Sequence, residues 1–340
     1  MRKSLLFVPI GALLLAACAA TPPATAPTPT APPLSVVGHN SVLEFGPVLL
    51  AASKVAPGTV TTASGGVPNL WDATDSQLSS GVSGRTAGGS APVTSGIADL
   101  AGNAGTQTLR MSLTHPDARI VMTVTEGLYR IVARSSAGIT SIADLKGKRV
   151  ATFANTSAAV FLNQVLTTAG LSDSDVTITS LTAPASADAL INREVDAISI
   201  WEPDAERAVQ ALGADAVSLR PEASYREIYS LNAKAGDLAD PAKRAQIVGF
   251  LREVTAGCQA AEDDPTEMQG LLATRTGQPQ TLIKDSWHHH TFPCAIPADL
   301  VDVLVLEEEW LAAKDNRTPR SRAELEGLVD TSIIREVQGR

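Results

Sequence analysis

The sequence predicts an α/β fold with mostly parallel sheets, and two observations predict it. Short apolar runs at 36–37, 120–124, 129–133, 176–178 and 197–200 alternate with segments of helical periodicity. Strands that alternate with helices close into parallel sheets covered by helices. At 340 residues the chain also exceeds what one core usually holds, so two compact units are expected. Composition agrees: 44% apolar and 19% charged residues exclude a disordered polyampholyte and a polytopic membrane protein. A net charge of −9, with no basic run longer than Lys146-Gly147-Lys148-Arg149, excludes an electrostatic nucleic-acid footprint.

The amino terminus reads as an export signal. Arg2 and Lys3 precede an apolar stretch at 5–15 that is too short to span a bilayer. Leu15-Ala16-Ala17-Cys18 follows and resembles the lipobox of bacterial lipoproteins, in which the Cys is acylated and becomes the first mature residue. An ordinary secretory signal ending at the same small residues is the alternative, and it exports the chain too. Residues 1–17 are therefore expected to be a lipoprotein signal peptide. Residues 18–35 are expected to be an acylated Cys18 with an extended Pro/Thr/Ala tether.

Three helices follow from spacing. Leu162, Val165, Leu166 and Ala169 repeat at i, i+3, i+4, i+7 behind the cap candidates Asn155, Thr156 and Ser157, and Gly170 ends the run. Ala205, Ala208, Val209 and Leu212 repeat the pattern, with Pro203 at the first helical position and Gly213 beyond. Ile247, Phe250, Leu251 and Val254 do so again after Asp240-Pro241. Residues 74–95, rich in Gly and Ser, lack periodicity and read as a loop or a poorly formed helix. Cys258 and Cys294 remain once Cys18 is used. In an exported chain they are expected to pair, two isolated buried thiols being the alternative. The segment at 95–101 and that at 193–200 both read as a turn before a small–Asp–apolar strand start, which suggests two lobes of similar βα units.

Ser141-Ile142-Ala143-Asp144-Leu145-Lys146-Gly147-Lys148-Arg149-Val150 resembles the S-x-x-D-L-K-G-K-x-V opening of the second lobe of type 2 periplasmic binding proteins. Asp188-Ala189-Leu190, Asp196-Ala197-Ile198, Trp201-Glu202-Pro203 and Asn155-Thr156-Ser157-Ala158 resemble the nitrate, sulfonate, taurine and thiamine-precursor branch of ABC-importer solute-binding proteins. The resemblance covers about 36–315. It implies two lobes, 36–130 plus 230–340 and 131–229, joined by crossover strands near 129–134 and 225–231. It further implies a monomer that closes on a small-molecule ligand by hinge motion and delivers it to a membrane permease, with no cofactor.

In such sheets ligands lie beyond the carboxyl ends of strands. Four places answer to that. Glu44, Phe45 and Gly46 precede Pro47, where a helix can start and the backbone can approach a ligand; a plain tight turn is the alternative. Asn103, in Ala101-Gly102-Asn103-Ala104, offers a donor and an acceptor, or caps a helix. Asn155, Thr156, Ser157 and Ala158 place a helix N-terminus where an anion is favoured, or simply cap that helix. Trp201 can stack on a ring while Glu202 accepts from an amine; a core Trp with a first-turn Glu is the alternative. If Glu44 and Glu202 both faced the cleft, with the helix N-terminus opposite, a zwitterion or an aminopyrimidine would suit it. Glu126 reads as a hinge salt-bridge partner, with added negative charge in the cleft as the alternative.

Consecutive His288, His289 and His290 point in different directions and rarely converge on one metal ion, so polar-loop or hinge packing is expected of them. Asp263-Asp264 and Glu307-Glu308-Glu309 read as solvated helix surface, and 317–340 as a charged peripheral helix and tail. G-x-S-x-G, P-loop and G-x-G-x-x-G patterns are absent. The reading is a lipid-anchored solute-binding protein on the periplasmic face of a bacterial membrane, taking a small nitrogen- or sulfur-containing organic solute or an oxyanion. The alternatives are a sensor lipoprotein with a degenerate pocket and a pyrimidine-synthase-like enzyme on the same fold.

Overall fold

Two β-sheets, each built from βα units, organise the chain. The computed structural model describes residues 32–39, 42–72, 97–221 and 225–339. The leader, Cys18, the tether up to residue 31 and the Gly/Ser-rich stretch at 74–95 lie outside them. The first sheet comprises β1 (Leu34–Gly38), β2 (Val60–Ser64), β3 (Leu100–Ala104), β4 (Ala118–Gly127), β10 (Glu227–Lys234) and β11 (His290–Thr291), ordered β11-β4-β10-β3-β1-β2. The second comprises β5 (Arg130–Arg134), β6 (Arg149–Thr152), β7 (Thr177–Ser180), β8 (Ala197–Ile200) and β9 (Ala216–Leu219), ordered β7-β6-β8-β5-β9. Each sheet is parallel where helices intervene: β1 pairs β2 and β3, and β6 pairs β7 and β8. The antiparallel partners are β10, β4 and β11 in the first sheet, and β5 with β8 and β9 in the second.

The chain passes between the sheets twice. Only Leu128 and Tyr129 separate β4 from β5, and the return runs from β9 to β10. The same helix Leu300–Lys314 that follows the first sheet contributes Leu300, Leu304, Trp310 and Leu311 to a cluster with Phe161, Leu162 and Val165 behind the second. That shared apolar core is why Pro33–Arg340 packs as one compact unit. Among the described residues no helix is long and apolar enough to cross a membrane.

The periodic segments fold as their spacing requires. Helix Ser157–Thr168 buries Phe161, Leu162, Val165 and Leu166 and is followed by Gly170 at φ 70°. Helix Asp204–Leu212 buries Ala205 and Ala208, with Pro203 in the capping position, one residue earlier than the sequence suggests. Helix Pro241–Asp263 is capped by Asp240, whose side chain accepts from the N–H groups of Ala242 and Lys243. Its Gly257 lets the helix touch the start of helix Gly46–Lys54: a Cβ there would stand 2.7 Å from the Pro47 carbonyl oxygen. Cys258, beside it, is bonded to Cys294.

Glu307 and Glu308 correct the expectation of a solvated acidic triplet, since both are fully buried. Tyr225 donates to Glu307, and burial pushes the Glu307 carboxyl up to about 8. Burial acts the same way on Glu308, but its ion pairs with Arg317 and Arg320 outweigh it and bring that carboxyl down to about 2. Glu307's partner arrives from a distant segment, and Glu308's partners from the chain that turns back just past the end of the same helix.

Candidate functional site

A narrow cleft, with a cavity volume of about 60 Å³ below its open mouth, is lined by His39, Val42, Glu44, Asn103, Ala104, Gln107, Tyr129, Phe153, Thr156, Ser157, Trp201, Glu227 and Tyr229. Its walls come from both sheets. Asn103 and Tyr229 stand on β3 and β10. Phe153 to Ser157 follow β6, and Trp201 follows β8, at the carboxyl ends of parallel strands.

The first wall begins where β1 ends. Gly38 admits the Phe45 ring, which a Cβ would meet at 2.3 Å, so the chain turns at once into the helical segments Leu43–Phe45 and Gly46–Lys54. That turn delivers Glu44. Its backbone carbonyl accepts from Thr125 Oγ1 at 2.9 Å, and its Oε1 lies 3.5 Å from His290 Nε2. Burial lowers the His290 pKa, but hydrogen bonding and the charge of Glu44 outweigh it, so the imidazole is held above its usual value. His290, itself buried, thus packs against Glu44. Among the described residues no group of three His, Cys, Asp or Glu could hold a metal ion. His39, half-buried in the cleft wall, is pushed down to about 4 by burial against the opposing charge of Glu44, and is neutral near pH 7.

Glu227 opens β10 opposite Gly127. Burial pushes its carboxyl well above the usual range, and the negative charges of Glu44, Glu307 and Glu126 push it further. One oxygen each of Glu44 and Glu227, both Oε2, is buried without a hydrogen-bond partner among the described residues.

The second wall centres on the start of helix Ser157–Thr168. Asn155 sits at φ 61°, a left-handed conformation that Asn tolerates better than most residues, and its carbonyl accepts from Gln107 Nε2 at 3.3 Å, tying the walls together. The Thr156 hydroxyl donates to the Phe153 carbonyl and makes no capping bond, so plain N-capping does not describe it. Ser157 Oγ meets Tyr129 Oη at 3.1 Å. Phe153 and Trp201 face each other with centroids 6.2 Å apart.

Of the residues singled out from sequence, Glu44, Asn103, Thr156, Ser157 and Trp201 line the cleft. Asn103 does so from within β3 rather than from a loop beyond it, and its Oδ1 accepts from the Ala104 N–H at 2.8 Å. Phe45 is fully buried against Tyr229, and Gly46 abuts Met268. Asn155 presents its carbonyl to Gln107, and Ala158 is buried, its carbonyl accepting from Ser199. None of these four is among the lining residues. Glu202 requires a correction. Arg130 Nε donates to its Oε1 at 3.1 Å and the Glu206 N–H to its Oε2 at 2.8 Å, so both oxygens are engaged inside the second sheet's core. The charge of Arg130 draws an acid at 202 away from the cleft. Glu126 instead meets Arg226 at 2.9 Å, beside the passage between sheets. Sequence reasoning missed His39, Gln107, Tyr129, Phe153, Glu227 and Tyr229. Glu227 and Tyr229 belong to a buried strand whose pattern gives no sign of a ligand, whereas Tyr129, at the expected crossover, was within reach.

The family model described as NMT1/THI5 like matches residues 84–268. No curated protein matches. Among solved structures, the periplasmic aliphatic sulphonate binding protein SsuA from Escherichia coli is 18% identical with a TM-score of 0.65, covering 87% of this chain and 92% of its own. The alkanesulfonate-binding protein SsuA from Xanthomonas axonopodis pv. citri, bound to MOPS, is 20% identical with a TM-score of 0.62, covering 88% and 99%. The desulfurization enzyme DSZB is 14% identical with a TM-score of 0.56, covering 90% and 99%. At these identities the likeness is one of fold.

Proposed function

Because the chain belongs to the NMT1/THI5-like family, we propose that it is the solute-binding protein of an ABC importer, exported and moored at Cys18, which captures a small organic solute and delivers it to a membrane permease. In this reading residues 36–130 with 230–340 make one lobe and 131–229 the other, and the passages at Leu128–Tyr129 and between β9 and β10 are the hinges. The observation that carries the reading is the cleft itself. Residues from both sheets line it, with polar groups at Asn103, Gln107, Thr156 and Ser157 and aromatic faces at Phe153 and Trp201. A ligand touching both walls favours the closed state by its differential affinity for it. The sulfonate-binding SsuA proteins, which share this fold, support the solute-binding role.

An enzyme reading has DSZB on the same fold in its favour. Against a form of it that uses either cysteine as a nucleophile, Cys258 and Cys294 are bonded to each other, and neither is among the residues that line the cleft. Native mass spectrometry of freshly purified protein tests the proposal: a stoichiometric small molecule, recovered unchanged and displaced by dialysis, is expected. Turnover of that molecule into a second species would instead favour the enzyme.

A further inference from the structure

We propose that the cleft selects a compact ligand bearing a cationic nitrogen group, a protonated amine or an amidinium, seated between the carboxyls of Glu44 and Glu227. This deepens the solute-binding reading above and rests on it. Both side chains line the cleft and both residues are only 2% exposed. Each leaves its Oε2 buried and without a hydrogen-bond partner among the described residues. Native structures rarely leave such atoms unmet, and both belong to residues of one cleft, where a ligand can supply the donors that the described chain does not.

Charge decides which donors. Among the described lining residues none is Lys or Arg, and His39 is neutral near pH 7. The carboxyls around Glu227 are Glu44, Glu307 and Glu126; Glu307 keeps its proton near pH 7 and Glu126 is met by Arg226, which leaves Glu44 as the remaining negative charge there. His290 meets only the Oε1 side of Glu44. A cation seated beside Glu227 lets it give up the proton that burial and Glu44 make it hold, and pairs with the resulting carboxylate, whereas an anion would face Glu44 with no cation beside it in the lining. The aromatic wall agrees, because the faces of Trp201, Phe153, Tyr129 and Tyr229 attract cations. The N-terminus of helix Ser157–Thr168 favours negative charge, and it can take an acidic substituent elsewhere on the ligand.

The test is isothermal titration of the full chain with three probes on one phenyl ring: benzamidine and benzamide, which share a planar shape and differ in charge, and the anion benzenesulfonate. Benzamidine is expected to bind at least about tenfold more tightly than either of the others. In Glu227→Gln and Glu44→Gln, checked for folding by circular dichroism, the benzamidine-to-benzamide ratio should fall towards one. If either variant fails to fold, the wild-type ranking alone decides. Tighter binding of benzenesulfonate, or equal binding of benzamide, overturns the cation preference while leaving a solute-binding protein. If no probe binds, the charge of the molecule seen by native mass spectrometry decides, a cation supporting the inference and a neutral or anionic species overturning it. If no molecule is seen either, the solute-binding reading itself falls.

Discussion

The guanidinium of Arg130 lies 2.9 Å from the carboxylate of Glu202, with both side chains less than a tenth exposed. The same guanidinium reaches Glu206 at 2.6 Å. Burial raises the Glu202 pKa, and the charge of Arg130 works against that rise. Removing one member of a buried pair strands the other charge. Arg130→Met should therefore cost about 3–5 kcal/mol of stability in urea denaturation. Glu202→Gln should lower stability while leaving solute affinity unchanged in titration, because its carboxylate serves the second sheet and not the cleft.

Glu307 predicts an unusual pH dependence. Burial raises its carboxyl from 4.5 to about 8, so the folded protein keeps a proton that the unfolded chain gives up. The contribution of this group to stability is complete below about pH 4.5 and is lost as pH rises through about 8. Glu307→Gln keeps an acceptor for Tyr225 and removes the titration. It should raise the melting temperature at pH 8 and flatten the melting curve between pH 5 and 8, a gain of a few kcal/mol at about 1.4 kcal/mol per pKa unit. No gain at pH 8 would show that Glu307 does not hold its proton there.

The Cys258–Cys294 bond closes a loop of sequence separation 36 behind the first sheet. Replacing both residues by Ala should cost about 2–4 kcal/mol, read from the urea midpoint of oxidised wild type against the double variant. Mass spectrometry with and without a thiol alkylating reagent would first establish that native protein carries no free thiol at either position.

Trp201, half-buried and tilted against Phe153, should report on occupancy. Solute binding is expected to change its fluorescence, and Trp201→Ala to weaken affinity about tenfold or more; because Trp201 also packs against the buried apolar clusters, the variant loses stability too and is titrated only under conditions where circular dichroism shows it folded. An unchanged affinity would remove the aromatic wall from the binding surface.

How much of this was legible in the sequence depended on whether the cause was local. Helix Ser157–Thr168 announces itself because four apolar residues at helical spacing must share a face, and a Gly follows to end it. Glu44 and Ser157 could be nominated because a turn after a strand and a helix start are local features. Glu202 was misread because its partner, Arg130, stands 72 residues away on another strand. Glu307 looked solvated for the same reason, its partner Tyr225 standing 82 residues away, whereas Glu308 is met by Arg317 and Arg320 just beyond the end of its own helix, where the turn of the chain and not its spacing brings them back. Glu227 was invisible because an acid at the start of a buried strand reads as a strand boundary until the fold brings it beside Glu44.

A crystal structure of the protein with its co-purified solute tests the central claim most directly. The account predicts density between the sheets, touching Asn103 or Tyr229 on one wall and Thr156, Ser157 or Trp201 on the other. A solute bound to one wall alone, or outside the cleft, would contradict it.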